Sequence, residues 1–121
     1  MFEKEECWII FGIKVDSCVF GFLKYQGKGS WGAVDFVWEK ATSKFLQGFH
    51  HTHPDGITQP SGRDDKTMSA WIRAEGKPLI LGVKSGDSLK FFLYEKMGAL
   101  FTKREIVSKL YHDIFFIGNV D

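Results

Sequence analysis

Asp16 and Ser17 stand between two runs of β-branched and aromatic residues, CWIIFGIKV and CVFGFLKYQ. Such residues suit a pleated, half-buried surface, and a two-residue polar break between them reads as a tight turn, so the N-terminal stretch is predicted to be a hairpin. GKGSWG follows as a loop. Its Gly27, Gly29 and Gly32 satisfy the G-x-G-x-x-G spacing of dinucleotide sites. That chemistry needs the glycines to open a helix, whereas an alternating strand pattern comes next, so they are read as backbone freedom between strands. In AVDFVWE, Val34, Phe36 and Trp38 alternate with Asp35 and Glu39, predicting a third strand, and FLQGFHHTH predicts a fourth. DKTMSAWIRAEG places Met68, Trp71 and Ile72 on one helical face before Gly76 stops the helix. PLILGVK and LKFFLYE are two further strands around the turn SGDS. A closing helix is expected from Thr102 and Glu105 as a capping box and from the helical spacing of Ile106, Leu110 and Ile114. The expectation is an α/β layered domain with six strands in a mixed sheet and two helices.

A chain of 121 residues ordinarily builds one core, and a 44% hydrophobic content with twelve Phe and four Trp supplies it, so residues 1–121 are expected to form one domain. Sixteen Lys and Arg against fifteen Asp and Glu leave a net charge of +1, and no like-charge block reaches the length of a nucleic-acid arm. The opening MFEKEECWIIFGIKV is acidic where a secretory signal is basic and lacks a small-residue cleavage site, which predicts a cytoplasmic protein not inserted in a membrane. Cys7 and Cys18 are too few for a disulfide framework and lack zinc-ribbon spacing, and are read as packing residues of neighbouring strands.

The chemistry concentrates in HHTHPDGITQPSGRDD, residues 50–65. Residues two apart on a strand share a face, so His51 and His53 present both imidazoles to one side while Thr52 turns away. Pro54 cannot donate to a ladder and tends to end the strand, which is expected to leave the histidines at the strand's mouth, in an edge site. Asp64 falls near a helix start, where a rigid element presents its carboxylate. Taken singly, these features are ordinary: paired histidines are often surface residues, and a Ser or Asp at a helix start is often a cap. Together, two imidazoles and one carboxylate suffice for a catalytic zinc with its fourth position left to water.

The arrangement H-x-H-P…S-x-x-D, formed by His51, His53, Pro54, Ser61 and Asp64, resembles the JAB/MPN domain metalloproteases, the JAMM family. The resemblance implies one zinc per chain on His51, His53 and Asp64, an oxyanion-stabilising role for Ser61, and an upstream Glu as general base. For that Glu two registers are open. EECWIIFG offers Glu5, or its neighbour Glu6, with Trp8 where the family has a small residue; CVFGFLKY puts Gly21 and Leu23 in place but has Cys18 where the Glu belongs. The first register alone supplies a carboxylate, and Glu5 is the favoured base. His50 has the opposite strand parity and is read as structural, and His112 is given no role. The resemblance further implies a cytidine-deaminase-like layered fold with a curved mixed β-sheet flanked by helices. It implies hydrolysis of a peptide or isopeptide bond in an extended tail, after the C-terminal glycines of a ubiquitin-like or sulfur-carrier protein. The short loop PDGITQP, with Ile57 its one bulky apolar residue, is expected to wall the tail groove and suggests a minimal prokaryotic or phage-type member. A catalytically inactive JAB-like assembly module is the alternative, favoured if Cys18 holds the Glu position. A small-amide hydrolase of the nucleobase-deaminase kind is disfavoured because no P-C-x-x-C ligand pair is present.

Overall fold

The computed structural model describes residues 5–28, 44–53, 56–111, 114–118 and 120. Along the chain these form β1 (Glu6–Val15), β2 (Cys18–Lys28), β3 (Leu46–Thr52), α1 (Gly62–Glu75), β4 (Leu79–Ser85), β5 (Ser88–Met97), β6 (Leu100–Ile106), β7 (Ser108–Tyr111) and β8 (Ile114–Gly118). The eight strands make one mixed sheet in the order β6-β5-β4-β3-β1-β2-β8-β7. Within it β3 and β4 run parallel, and the other neighbours are antiparallel.

The first hairpin forms where the sequence predicts it. Val15 pairs with Cys18, and Asp16 takes a left-handed φ of 56°, a conformation aspartate visits more readily than most residues. Parallel strands cannot be joined by a tight turn. The chain therefore leaves β3, crosses one face of the sheet as α1 and returns as β4. Ser61 caps the start of α1, and Gly76, at a left-handed φ of 71°, ends it with its N–H on the Ile72 carbonyl at 2.8 Å. Asp64, Met68 and Ile72, four apart, form its buried stripe. The two apolar members pack in one core with Ile9, Phe49, Leu81, Val83 and Tyr94, each worth about 1.5–3 kcal/mol if fully buried. The register of β1 with β3 shifts between Ile10 and Phe11, a bulge that lets Leu46 and Phe49, an odd number of residues apart, both join this core.

The other face builds a second core from the sheet itself, with Ile10, Val19, Ile80, Phe91, Leu93, Ile106 and Ile117. Connectivity explains how. The two edge strands, β6 and β7, are joined by the single residue Val107, so the sheet must curl until its ends meet, and Gly118 N–H donates to the Val107 carbonyl at 3.0 Å. Close strand crossings accompany the curl. A Cβ on Gly48 would enter the Ile80 carbonyl of β4.

The predicted closing helix does not form. Its stretch becomes β6, β7 and β8, so the described residues hold eight strands and one helix rather than six and two. Thr102 and Glu105, the expected capping pair, instead face Glu95 and Phe92 across the β5–β6 ladder. Ile106 ends β6, Leu110 lies in β7 and Ile114 begins β8. Apolar residues four apart fit a helix locally. The edges of β5 and β2, whose ladder groups need partners, override that spacing. The strand expected over residues 33–39 lies outside the described residues.

Candidate metal centre

β3 delivers His51 and His53 to the face that carries α1, as strand parity requires. Thr52 turns away, and its Oγ1 accepts from Glu6 N–H at 2.9 Å. The histidines lie at the strand's mouth as expected, but the position within the sheet corrects the expectation of an edge. β3 is an interior strand, flanked by β1 and β4, so the histidines sit at its C-terminal end and not at a lateral edge. His53 is anchored there by its own N–H to the Lys84 carbonyl (2.8 Å) and by Ser85 Oγ donating to its carbonyl (2.8 Å). From above, the buried stripe of α1 runs Ile72, Met68, Asp64, so the carboxylate continues an apolar face onto the end of β3. Asp64 and His51 are almost wholly inaccessible to solvent.

Three atoms converge. His51 Nε2 and His53 Nε2 lie 2.9 Å apart, and each is 3.2 Å from Asp64 Oδ2. Their hydrogen bonds fix what these atoms offer. His51 Nδ1 lies 3.0 Å from the Gly82 carbonyl and His53 Nδ1 lies 3.0 Å from the Ile57 carbonyl. A carbonyl only accepts, so both Nδ1 atoms carry hydrogen, and in the neutral imidazoles both Nε2 atoms present lone pairs. Two lone pairs and a carboxylate oxygen facing one another repel unless a cation or proton lies among them. The group fits a metal on size as well. Tetrahedral zinc with ligands at about 2.0–2.1 Å sets ligand atoms about 3.3 Å apart, close to the triangle observed. Imidazole nitrogen with carboxylate oxygen is a donor set for zinc and its transition-metal neighbours, not for calcium or magnesium. The residues His51, His53 and Asp64 can therefore hold a metal ion.

Ser61 serves the helix start. Its Oγ accepts from Asp64 N–H (3.1 Å) while its own N–H donates to Asp64 Oδ2 (2.9 Å), a reciprocal capping box that also aims the ligand oxygen. A hydroxyl accepting through oxygen can still donate through hydrogen. Cys7 pairs directly with His51 across β1 and β3, and its thiol is pushed up to about 12, first by burial and then by the charges of Glu5, Asp64 and Glu6. The β1–β3 pairing ends at Cys7 and His51, and Glu5 stands one residue before β1. Glu6 has the opposite parity to Cys7, and its Oε1 accepts from Tyr25 OH at 3.4 Å. Cys18 is distant: it pairs with Val15, eight positions along β1 from Cys7. The second Glu register thus puts its candidate at the wrong end of the hairpin.

His50 lies on the opposite face, buried against Trp8 (ring centroids 5.0 Å apart) and Phe91 (6.2 Å), and burial lowers its pKa to about 3. Its packing role agrees with its parity. His112 is outside the described residues. Ile57 is exposed (55%), and its carbonyl rather than its side chain touches the ligand set. The Gly82 and Ile57 carbonyls escape sequence reasoning because every residue has one. Gly82 does carry a trace of its role, since a Cβ there would meet the His50 ring at 2.6 Å and the Phe91 ring at 2.8 Å.

No helix among the described residues is long and apolar enough to cross a membrane. No family model, curated protein or solved structure matches the chain.

Proposed function

We propose that the chain is a zinc hydrolase of the JAB/MPN type. It cleaves a peptide or isopeptide bond in an extended tail, after the C-terminal glycines of a ubiquitin-like or sulfur-carrier protein. The observation that carries this reading is the convergence of two imidazole lone pairs and a carboxylate oxygen within 3.2 Å of one another at the junction of β3 and α1. The cytidine-deaminase-like arrangement belongs to the same proposal, supported by the β3–α1–β4 crossover that supplies all three ligands.

When bound, zinc supplies Lewis acidity, polarising a carbonyl and making water nucleophilic at neutral pH. The chain's own groups do the rest. The Gly82 and Ile57 carbonyls hold the two imidazoles in the ligating tautomer. Glu5 accepts a proton from the attacking water and delivers it to the leaving amine. The Ser61 hydroxyl donates to the developing oxyanion, a role worth about 3 kcal/mol in other hydrolases. Because β3 is interior, a tail cannot add to it as a further strand; it lies across the strand ends beside Ile57. Glycines on the acyl side let the backbone approach without side-chain clashes.

Metal analysis tests the reading first. Purified protein should carry close to one zinc per chain, and His53→Ala and Asp64→Ala should lose it; full occupancy in both variants removes the ligand assignment. A fusion with Gly-Gly before the scissile bond should be cut by the zinc-loaded protein and not after chelation. Bound zinc without cleavage of any tail would leave a metal-holding assembly module instead.

A further inference from the structure

Two carboxylates stand side by side at the start of α1, and the structure sends them to different partners. Asp64 goes to the histidines. Asp65 reaches over β5 and β6, where its Oδ1 accepts from Tyr94 OH at 2.6 Å and Lys103 Nζ lies 3.1 and 3.0 Å from its two oxygens. We infer that Tyr94, acting through Asp65, is a positioning residue for the metal centre, one that sets the rotation of the first turn of α1 and so aims Asp64 at the imidazoles.

The inference rests on the metal-binding reading and follows from how the turn is held. Successive residues on a helix differ by a fixed rotation, so pinning Asp65 pins the direction in which Asp64 leaves the axis. The apolar anchors Met68 and Ile72 lie one and two turns further along and hold the helix on the sheet, whereas Asp65 is held within the first turn itself, next to Asp64. The two members of the tether differ in weight. Lys103 and Asp65 are each about two-fifths exposed (side chains 39% and 42%), and an ion pair so placed holds position weakly. Tyr94 is 2% exposed, rises from the core beneath α1, and its hydroxyl must have an acceptor there. Burial, then the bond to Asp65, raises the phenol pKa, so it remains a donor. A rigid buried strand thus supports a ligand-bearing turn through one short hydrogen bond, one contact further out than the ligand-bonded partners whose loss costs metal affinity about 10–100-fold.

Zinc affinity, measured on the full chain by competition with a chelating dye well below the melting temperature, separates positioning from mere stability. Tyr94→Phe and Asp65→Ala should each weaken zinc about tenfold. Asp65→Asn should retain most of the affinity, because its amide oxygen still accepts from Tyr94. Ile117→Val, in the core on the other face, should lower the melting temperature and leave zinc affinity unchanged. Wild-type affinity in Tyr94→Phe overturns the inference, as does an equal loss in Ile117→Val. Equal losses in Asp65→Asn and Asp65→Ala would transfer the role to the Lys103 charge. A wild-type protein that binds no zinc takes the inference down with the reading beneath it, whereas zinc bound equally by wild type and Tyr94→Phe defeats the inference alone.

Discussion

A carboxylate one residue out of phase on a strand points to the other side of the sheet, and that turns Glu6 away from the ligand face. Cys7 and His51 face each other across β1 and β3, so alternation turns Glu6, the first residue of β1, to the Trp8–Tyr25 face, while Glu5 stands just before the strand. The sequence left these neighbours open because the parity of a strand's first residue depends on its partner strand. Glu5→Gln should keep fold and zinc while lowering kcat on a Gly-Gly tail by about 10²–10⁴, the range for one acid–base group, and Glu6→Gln should do far less. Zinc content measured beside kcat in both variants checks this. The reverse ranking would move the base by one residue.

At the scale of elements, the end of β3, the loop after it and the start of α1 act as one unit. Ser61 and Asp64 cap each other, and the oxygen that accepts the Ser61 N–H also faces the histidines, so folding the helix start and building the centre are the same event. The S-x-x-D spacing made this legible. The loop contributes through Ile57, whose carbonyl holds His53 while its side chain stands in solvent. Its carbonyl and its side chain can therefore be probed separately. Ile57→Asp should leave zinc content unchanged and lower kcat/KM for a Gly-Gly tail several-fold, on the order of 1 kcal/mol for one apolar contact. Steady-state kinetics with metal analysis tests it, and an unchanged kcat/KM would remove the loop from the substrate path.

For the molecule as a whole, the interior strand beneath the centre makes the fold sensitive to acid. His50 is buried behind β3, and its pKa is lowered to about 3, chiefly by burial, against about 6.5 in an unfolded chain. Between those values the unfolded state binds one proton more than the folded state. The stability His50 contributes is therefore complete above about pH 6.5 and lost as pH falls toward 3, by about 1.4 kcal/mol per pH unit. Urea melts of metal-free protein between about pH 7 and pH 4.5 should show this slope, reduced by about one proton in His50→Gln. A wild-type slope in that variant would assign the acid sensitivity to other groups.

Local chemistry on the sequence determined whatever depends on spacing along one element: the hairpins around Asp16–Ser17 and Gly86–Asp87, the shared face of His51 and His53, and a helix whose buried stripe includes Met68 and Ile72. These are legible because strand and helix periods act between residues two to four apart. Only the tertiary structure decided the rest. Leu100–Ile106 and Ile114–Gly118 became strands because the edges of β5 and β2 offered them ladders, Ser108–Tyr111 paired in turn on β8, and β3 became interior because β1 and β4 took its two sides. The Gly82 carbonyl behind His51 and the Tyr94–Asp65 tether join residues 31 and 29 positions apart. Contacts over such separations leave no period in a sequence, because they come into being only when the sheet curls and its strands meet.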